Sequence, residues 1–304
     1  MEHIITNEYH EKTVKAYLTL RLKLSSKMIT RLKKDPLGIL LNGERVTVRA
    51  ILHENDKLLI GIERESKTSE HISPVDIPID IIYEDDHYIA INKPPFMPTH
   101  PSHDHYDDTL ANAVAHLYEK RGLPFVFRAV NRLDRDTSGI VLLAKDAMSA
   151  DAFSKLQQNK LVTKIYIALV DGTLESDGKI EGYIKRKSGS VMLREFHEEK
   201  LHDEDAYSLT YYERIDSNEI ASLVKIRLVT GRTHQIRVSF CSIGHPVCGD
   251  SLYGVEDGHS RHMLHARSMS FIHPFTNKII NIDAPLPNDI IEAIKTKGIK
   301  HEFR

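Results

Sequence analysis

The chain has 304 residues, 41% hydrophobic and 28% charged, an ordinary balance for a globular protein, and its length suits one large domain or one large plus one small. Its two cysteines, Cys241 and Cys248, make neither a disulfide framework nor a zinc pattern. No apolar run approaches a membrane span, and the first residues lack the basic and apolar regions of a signal peptide, so a cytoplasmic protein with reduced thiols is expected. The net charge of −2 conceals an asymmetry: residues 12–67 hold 13 Lys and Arg against 6 Asp and Glu, and the remainder holds 28 against 37. A basic end on a less basic body points to a nucleic-acid-binding segment or, on charge alone, to a solvated basic face.

The basic segment is patterned. Val14, Tyr17, Leu18 and Leu22 fall at helical spacing. A second helix is predicted from Ser25 or Ser26, with Ile29 and Leu32 on its apolar side and Lys27, Arg31, Lys33 and Lys34 exposed, stopped by Pro36 and Gly38. Residues 39–41, Asn42-Gly43 and residues 46–48 read as strand, tight turn and strand, and 56–62 as a further strand. Two helices followed by a hairpin with Leu-Asn-Gly-Glu-Arg-Val resemble the alpha-L RNA-binding module shared by a ribosomal small-subunit protein and many RNA-modifying enzymes, over about residues 12–64. The stretch after Leu24-Ser25 departs from that module's usual Ser-Arg. The resemblance implies phosphate contacts by Lys12, Lys27, Arg31, Lys33 and Lys34, which set affinity without reading sequence.

Residues 65–71 are polar and charged, and Pro74 and Pro78 follow; a linker is placed there, dividing the chain into domains 1–70 and 71–304. Residues 79–84 and 88–92 alternate like two hairpin strands around Asp85-Asp86. His100, His103 and His105 could be read as metal ligands, but no carboxylate geometry or cysteine partner accompanies them, and a mobile surface loop is the expectation. Residues 109–121 read as a helix capped by Asp108 or Thr109. Its apolar face is Leu110, Ala113, Val114, Leu117 and Tyr118, and Gly122 and Pro124 end it.

The stretch Asn131-Arg132-Leu133-Asp134-Arg135-Asp136-Thr137-Ser138-Gly139 is polar and turn-rich, and the five apolar residues after it suit a short buried strand. If residues 132–134 are extended, Arg132 and Asp134 share one face and Leu133 points into the core, which would hold a carboxylate beside a guanidinium. In isolation such a pair is more often a weak surface contact. Residues 147–159 read as a helix. Residues 164–172 read as a buried strand containing Tyr166, a residue type strands favour for packing alone. Residues 173–218 are the least informative: strand fragments, with a charged stretch at 195–205 read as an exposed loop or hairpin. Residues 222–229 alternate, with Val224, Ile226 and Leu228 inward. A helix starting near Thr233 would bury Ile236 and Phe240 and turn Arg237 towards a pocket. Residues 263–271 and 279–282 complete a sheet, and a short helix at 288–295 follows Pro285 and Pro287.

These strings together resemble the RluA-type pseudouridine synthases over about residues 79–290. Residues 131–139 match the family's catalytic motif, usually His-Arg-Leu-Asp-x-x-Thr-Ser-Gly, with Asn131 where the family usually has His. Asn92-Lys93-Pro94 matches its Asn-Lys-Pro string, and residues 97–101 match its Val-His-Pro stretch. Lys164-Ile165-Tyr166-Ile167-Ala168 matches Lys-x-Tyr-x-Ala. Residues 230–238, with Gly244-His245-Pro246 and residues 249–254, match its third motif. The resemblance implies that Asp134 is the nucleophile, that Tyr166 lies against the uracil and that Arg237 pairs with the catalytic carboxylate. It also implies RNA contacts by Arg132, which would enter the space left by a flipped base, and by Arg232 and His234, with no metal.

The implied chemistry breaks the bond from uracil to ribose, turns the base and rejoins it through carbon 5. No atom is gained and no redox change occurs, so no cofactor is required. An Asp near its reference pKa of about 3.9 is ionised at neutral pH, and a nearby Arg stabilises that charge, so Asp134 could attack without a base to activate it. The base must leave its stack to be reached. The expected fold is α+β: a mixed, mainly antiparallel catalytic sheet with a small N-terminal α/β RNA-binding module. The expected substrate is RNA, ribosomal large-subunit RNA first and tRNA second. The rivals are a carboxylate hydrolase, which needs a second acid that the sequence does not display, and an RNA-binding protein of the same fold without catalysis.

Overall fold

The computed structural model describes residues 2–22, 24–61, 69 and 71–301, with only the backbone of Lys27. The first sixty residues build a small sheet of their own. In chain order they are β1 (Glu2–Ile4), α1 (Val14–Ala16), a π-helical turn at Tyr17–Arg21, α2 (Ser26–Lys34), β2 (Ile39–Leu41), β3 (Glu44–Arg45) and β4 (Lys57–Ile60). The strand order is β1-β4-β2-β3, all antiparallel. The Ser25 hydroxyl caps α2 by accepting from the Met28 amide. Val14, Tyr17, Leu18, Ile29 and Leu32 pack with Ile39, Leu58 and Ile60 in one core.

One expectation changes here. The returning hairpin strand is Glu44–Arg45, and not residues 46–48. Asn42 and Gly43 both take positive φ, so the two-residue turn pairs Leu41 directly with Glu44 and the partner strand starts at once. After Val46, whose amide still donates to the Ile39 carbonyl, residues 47–50 leave the sheet to pair with the start of α1, where the Lys15 and Val14 amides donate to the Val48 and Ala50 carbonyls. The expected linker at 65–71 falls almost wholly outside the described residues, as does Ile62.

The rest forms one ten-stranded sheet. Its elements are β5 (Asp80–Glu84), β6 (Tyr88–Lys93), α3 (Leu110–Lys120), β7 (Ser138–Ala144), α4 (Ala147–Gln158), β8 (Val162–Asp171), β9 (Gly178–Arg186), β10 (Arg194–His197), β11 (Ala206–Ser217), β12 (Ala221–Leu228), α5 (Gln235–Ser242), β13 (Leu264–Ile272), β14 (Ile279–Asp283) and α6 (Asn288–Thr296). The order is β10-β9-β11-β12-β8-β13-β7-β6-β5, with β14 on β13. Only β13 and β7 run parallel. The fold is therefore α+β with a mixed, mainly antiparallel sheet.

The apolar runs of the central strands are continuous because both sheet faces are covered. On β7, Val141 and Leu143 join the core under α3 and α5, while Ile140, Leu142 and Ala144 join a second core with Phe153 of α4. On β8, Tyr166, Ala168 and Val170 face the first core, and Ile167 and Leu169 pack against Ile290 and Ile294 of α6. The second residue of β7 is a glycine for a steric reason. Gly139 has φ +107°, and a Cβ there would lie 2.3 Å from the Ala266 carbonyl oxygen of the parallel neighbour. The poorly legible region, residues 173–218, supplies the sheet's far edge, with β10 at its end.

Candidate active site

The loop between residues 131 and 138 is pinned along its backbone. Its carbonyls accept in turn from the Thr99 hydroxyl at Leu133 (3.0 Å), the Thr137 amide at Asp134 (3.1 Å), the Lys93 ammonium at Arg135 (2.9 Å) and the Arg261 guanidinium at Asp136 (2.9 Å). Thr137 and Ser138 bond the rings of His262 (2.7 Å) and His265 (2.9 Å). Asn131 takes over the bracing position: its amide nitrogen donates to Ile140 O and its amide oxygen accepts from Leu142 N, both at 2.9 Å, so it pairs with β7 as a peptide group would. Leu133 is buried in the first core, as its place between Arg132 and Asp134 predicts. The Asp134 carboxylate stays 28% exposed, at the floor of a cleft with a volume near 1560 Å³.

The guanidinium beside Asp134 is Arg237, and not the sequence neighbour Arg132. Arg237 Nη1 donates to Asp134 Oδ2 at 3.0 Å. Its Nε and Nη2 bind both oxygens of Asp250, at 2.6 and 2.7 Å. Asp250 is fully buried. Burial would raise its carboxyl, but the bonds and charge of Arg237 outweigh this and hold it below the usual carboxylate value. Asp250 is thus a second carboxylate of the site that sequence reading left without a role. Its motif was visible; its partner, thirteen positions earlier, was not. Held ionised behind a guanidinium, it is not the proton donor that a carboxylate-pair hydrolase needs.

Arg237 is aimed by the turn before α5. Gln235 organises that turn: its amide oxygen accepts from the Thr230 hydroxyl and the Arg232 amide, and its amide nitrogen donates to Leu209 O and Thr210 Oγ1. His234 sits in the left-handed region at the helix start, φ 57°. Its ring is turned inward, with Nδ1 2.9 Å from the Tyr253 hydroxyl and Nε2 3.8 Å from Asp134 Oδ2. Arg232 is exposed and donates to the Tyr207 carbonyl.

Tyr166 lines the same cleft from β8. Burial, with the Asp134 charge adding, pushes its phenol above the ordinary value, so it is neutral at physiological pH. Arg132 is exposed at the cleft wall. The cleft is also more basic than the body around it: Arg132, Arg135, Lys160, Lys164, Arg227, Arg232 and Arg237 line it, against Asp104, Asp134 and Asp136.

Lys93 is a further site residue without a predicted role. It is fully buried, and its ammonium donates to Pro94 O, Met97 O and Arg135 O at 2.8 to 2.9 Å. Burial pushes it down to about 7, with the Asp136 charge pulling the other way. The Asn-Lys-Pro string therefore serves as a clamp on the Asp134 loop.

The N-terminal basic residues are elsewhere. Arg31, Lys33 and Lys34 lie exposed on α2, and Lys12, also exposed, stands over the Tyr9 ring at 5.1 Å; none of them lines the cleft. The side chain of Lys27 is outside the described residues. The three histidines of the 100–105 loop have separate engagements: His103 with Asp104, His105 with Asp108, and His100 edge-on to Phe127. Among the described residues the one group spaced to hold a metal is Asp171, Cys248 and Asp257. Lys297 already places its ammonium 3.8 Å from Asp171 and 3.6 Å from Asp257 there.

Comparison with known proteins bears directly on this cleft. The model of the RNA pseudouridylate synthase family matches residues 87–242, which include both Asp134 and Arg237. The chain is 36% identical over 285 residues to the uncharacterized RNA pseudouridine synthase YjbO of Bacillus subtilis, covering 93% of this chain and 98% of that one. It is 33% identical over 268 residues to the ribosomal large subunit pseudouridine synthase D of Xanthomonas campestris, covering 83% and 78%. Among solved structures, human RNA pseudouridylate synthase domain containing 1 shares the fold, with a TM-score of 0.58 and 23% identity over 75% of this chain and 97% of that one.

Proposed function

Because this chain belongs to the RNA pseudouridylate synthase family, and so isomerises uridine in RNA, we propose that Asp134 is its nucleophile and that large-subunit ribosomal RNA is its substrate. The observation that carries the first part is the Asp134–Arg237 contact at the cleft floor. It leaves the other carboxylate oxygen without a hydrogen-bond partner among the described residues and fixes the group's direction. The target uridine leaves its stack and enters the cleft. Tyr166, neutral and set in the wall, supplies the face on which the uracil rests. Asp134 attacks the nucleotide as the glycosidic bond breaks, the base turns, and carbon 5 joins the ribose with the bond to Asp134 broken again; carbon 5 then gives up its proton and nitrogen 1 takes one up, so nothing is gained or lost. Arg132, free and exposed at the mouth, takes the place of the flipped base in the RNA. Arg232 and His234 border the strand's path.

The second part is supported by the relatives named for the large ribosomal subunit. We further propose that residues 1–70 form an alpha-L-type RNA-binding domain, with Lys12, Lys27, Arg31, Lys33 and Lys34 on phosphates, and that residues 71–304 form the catalytic domain, working in the cytoplasm without cofactor or metal. No helix among the described residues is long and apolar enough to cross a membrane. The test is to map pseudouridine in ribosomal RNA and tRNA from cells with and without the gene. A site missing from large-subunit RNA and restored by the gene supports the reading, and a missing site confined to tRNA overturns the target.

A further inference from the structure

Lys164 lies two residues before Tyr166 on β8. The two side chains therefore share one face of the strand, their backbones about 7 Å apart, and both line the cleft. The cleft's other cations divide into two groups. Arg237, Arg135, Arg232 and Arg227 are engaged by the protein itself, through Asp134 and Asp250, Asp136, the Tyr207 carbonyl and the Tyr211 ring. Arg132 and Lys160 are exposed to water. Lys164 is in neither group. Its side chain is partly buried in the wall, and among the described residues it has no hydrogen bond, ion pair or ring contact. Burial alone lowers its pKa, with no charged neighbour contributing.

Setting an ammonium into a wall without a partner costs free energy that nothing in the protein returns. An anion entering the cleft would return it. Uracil and ribose are neutral, and the anion that RNA brings is phosphate. We propose that Lys164 is a positioning residue that receives the phosphate flanking the flipped uridine, while Tyr166, two residues deeper along β8, takes its base. One strand then fixes two points of the same nucleotide: its phosphate by a charge and its base by a ring. Gln157 and Gln158, at the end of α4, also line the cleft and add no competing charge. The assignment rests on the reading of Asp134 and Tyr166 as the reaction site.

The test uses the full chain and RNA extracted from cells lacking the gene and grown on uridine tritiated at carbon 5. Tritium release is measured against RNA concentration at several salt concentrations. For Lys164→Gln the expected result is a fall in kcat/KM of about tenfold, carried mainly by KM. The slope of log kcat/KM against log salt should become shallower by about 0.7 to 0.9, the loss of one phosphate contact. Lys164→Arg should restore most of both. The melting temperature should hold or rise, since no internal contact is lost. An unchanged salt slope, a loss confined to kcat, or a variant that no longer folds overturns the proposal. Asp134→Asn in the same assay separates the two claims: release by that variant would overturn the reading of the site, whatever Lys164→Gln does.

Discussion

Arg237 serves two carboxylates at once, and the two make different demands. Towards Asp134 it presents one nitrogen, leaving that group to react; towards Asp250 it presents two, and both partners are buried. Arg237→Met should therefore cut turnover by orders of magnitude and also destabilise, because it strands a buried charge at a cost of about 3–5 kcal/mol. The melting temperature should drop by several degrees. Adding Asp250→Asn should recover much of that stability and none of the activity. A stable, active Arg237→Met would remove Arg237 from the site. The buried histidines give a second expectation. Burial holds His262 and His265 down to about 4, against an unfolded value near 6.5. Between those values the unfolded chain binds protons that the native chain does not, so stability falls as pH drops through that window, by about 2 kcal/mol for each histidine between pH 7.5 and pH 5. Urea unfolding at the two pH values checks this, and equal stabilities would contradict it. Asp134, Tyr166 and Arg237, which the fold brings to one cleft, could be singled out in the sequence because they sit in motifs. Asp250 and Lys93 were present in the same strings, but their roles depend on contacts across the fold that spacing does not encode.

The loop from 131 to 138 was legible as a turn feeding a buried strand, and β7 follows it. Its bracing was not, because the donors come from Lys93, Thr99, Arg261 and His262, up to 125 positions away. Asn131 is the informative residue. It departs from the resembled motif, and it binds both Ile140 and Leu142 on β7. Asn131→Ala removes both part-buried bonds, worth about 1–3 kcal/mol together. We expect a melting point a few degrees lower and a reduced kcat with KM nearly unchanged, since the loop carries Asp134, the proposed nucleophile. Full activity with lost stability would mean that the bracing serves the strand alone. The hairpin in the small sheet shows the opposite limit. Its turn residues were read correctly, yet the following strand was placed two residues late, because β-branched Val46, Thr47 and Val48 suit a strand better than the Glu44-Arg45 that the turn geometry selects.

At the scale of the whole molecule, basic charge occurs in two places: the N-terminal segment and the cleft. The first was visible in the sequence as a run. The second was not, because its arginines and lysines are scattered through an acidic remainder and meet only in the fold. The two units are also joined. Met148 of α4 completes the small unit's core, and the Ser25 amide donates to Asp151. Removing residues 1–70 should therefore weaken RNA binding, make its salt dependence shallower, and lower the melting temperature of a core that still folds, since Met148 becomes exposed. Affinity measured against salt for the full chain and the truncation decides the point. An unchanged slope would mean that the basic segment is only a solvated face and that the cleft binds RNA unaided.

The most direct measurement is pseudouridine formation by Asp134→Asn beside the unaltered protein, on RNA from cells lacking the gene. The substitution keeps the side chain's shape and its contact with Arg237 while removing the attacking charge. The variant should fold, bind the RNA and release no tritium from carbon 5. Product at a substantial fraction of the unaltered rate would contradict Asp134 as the nucleophile.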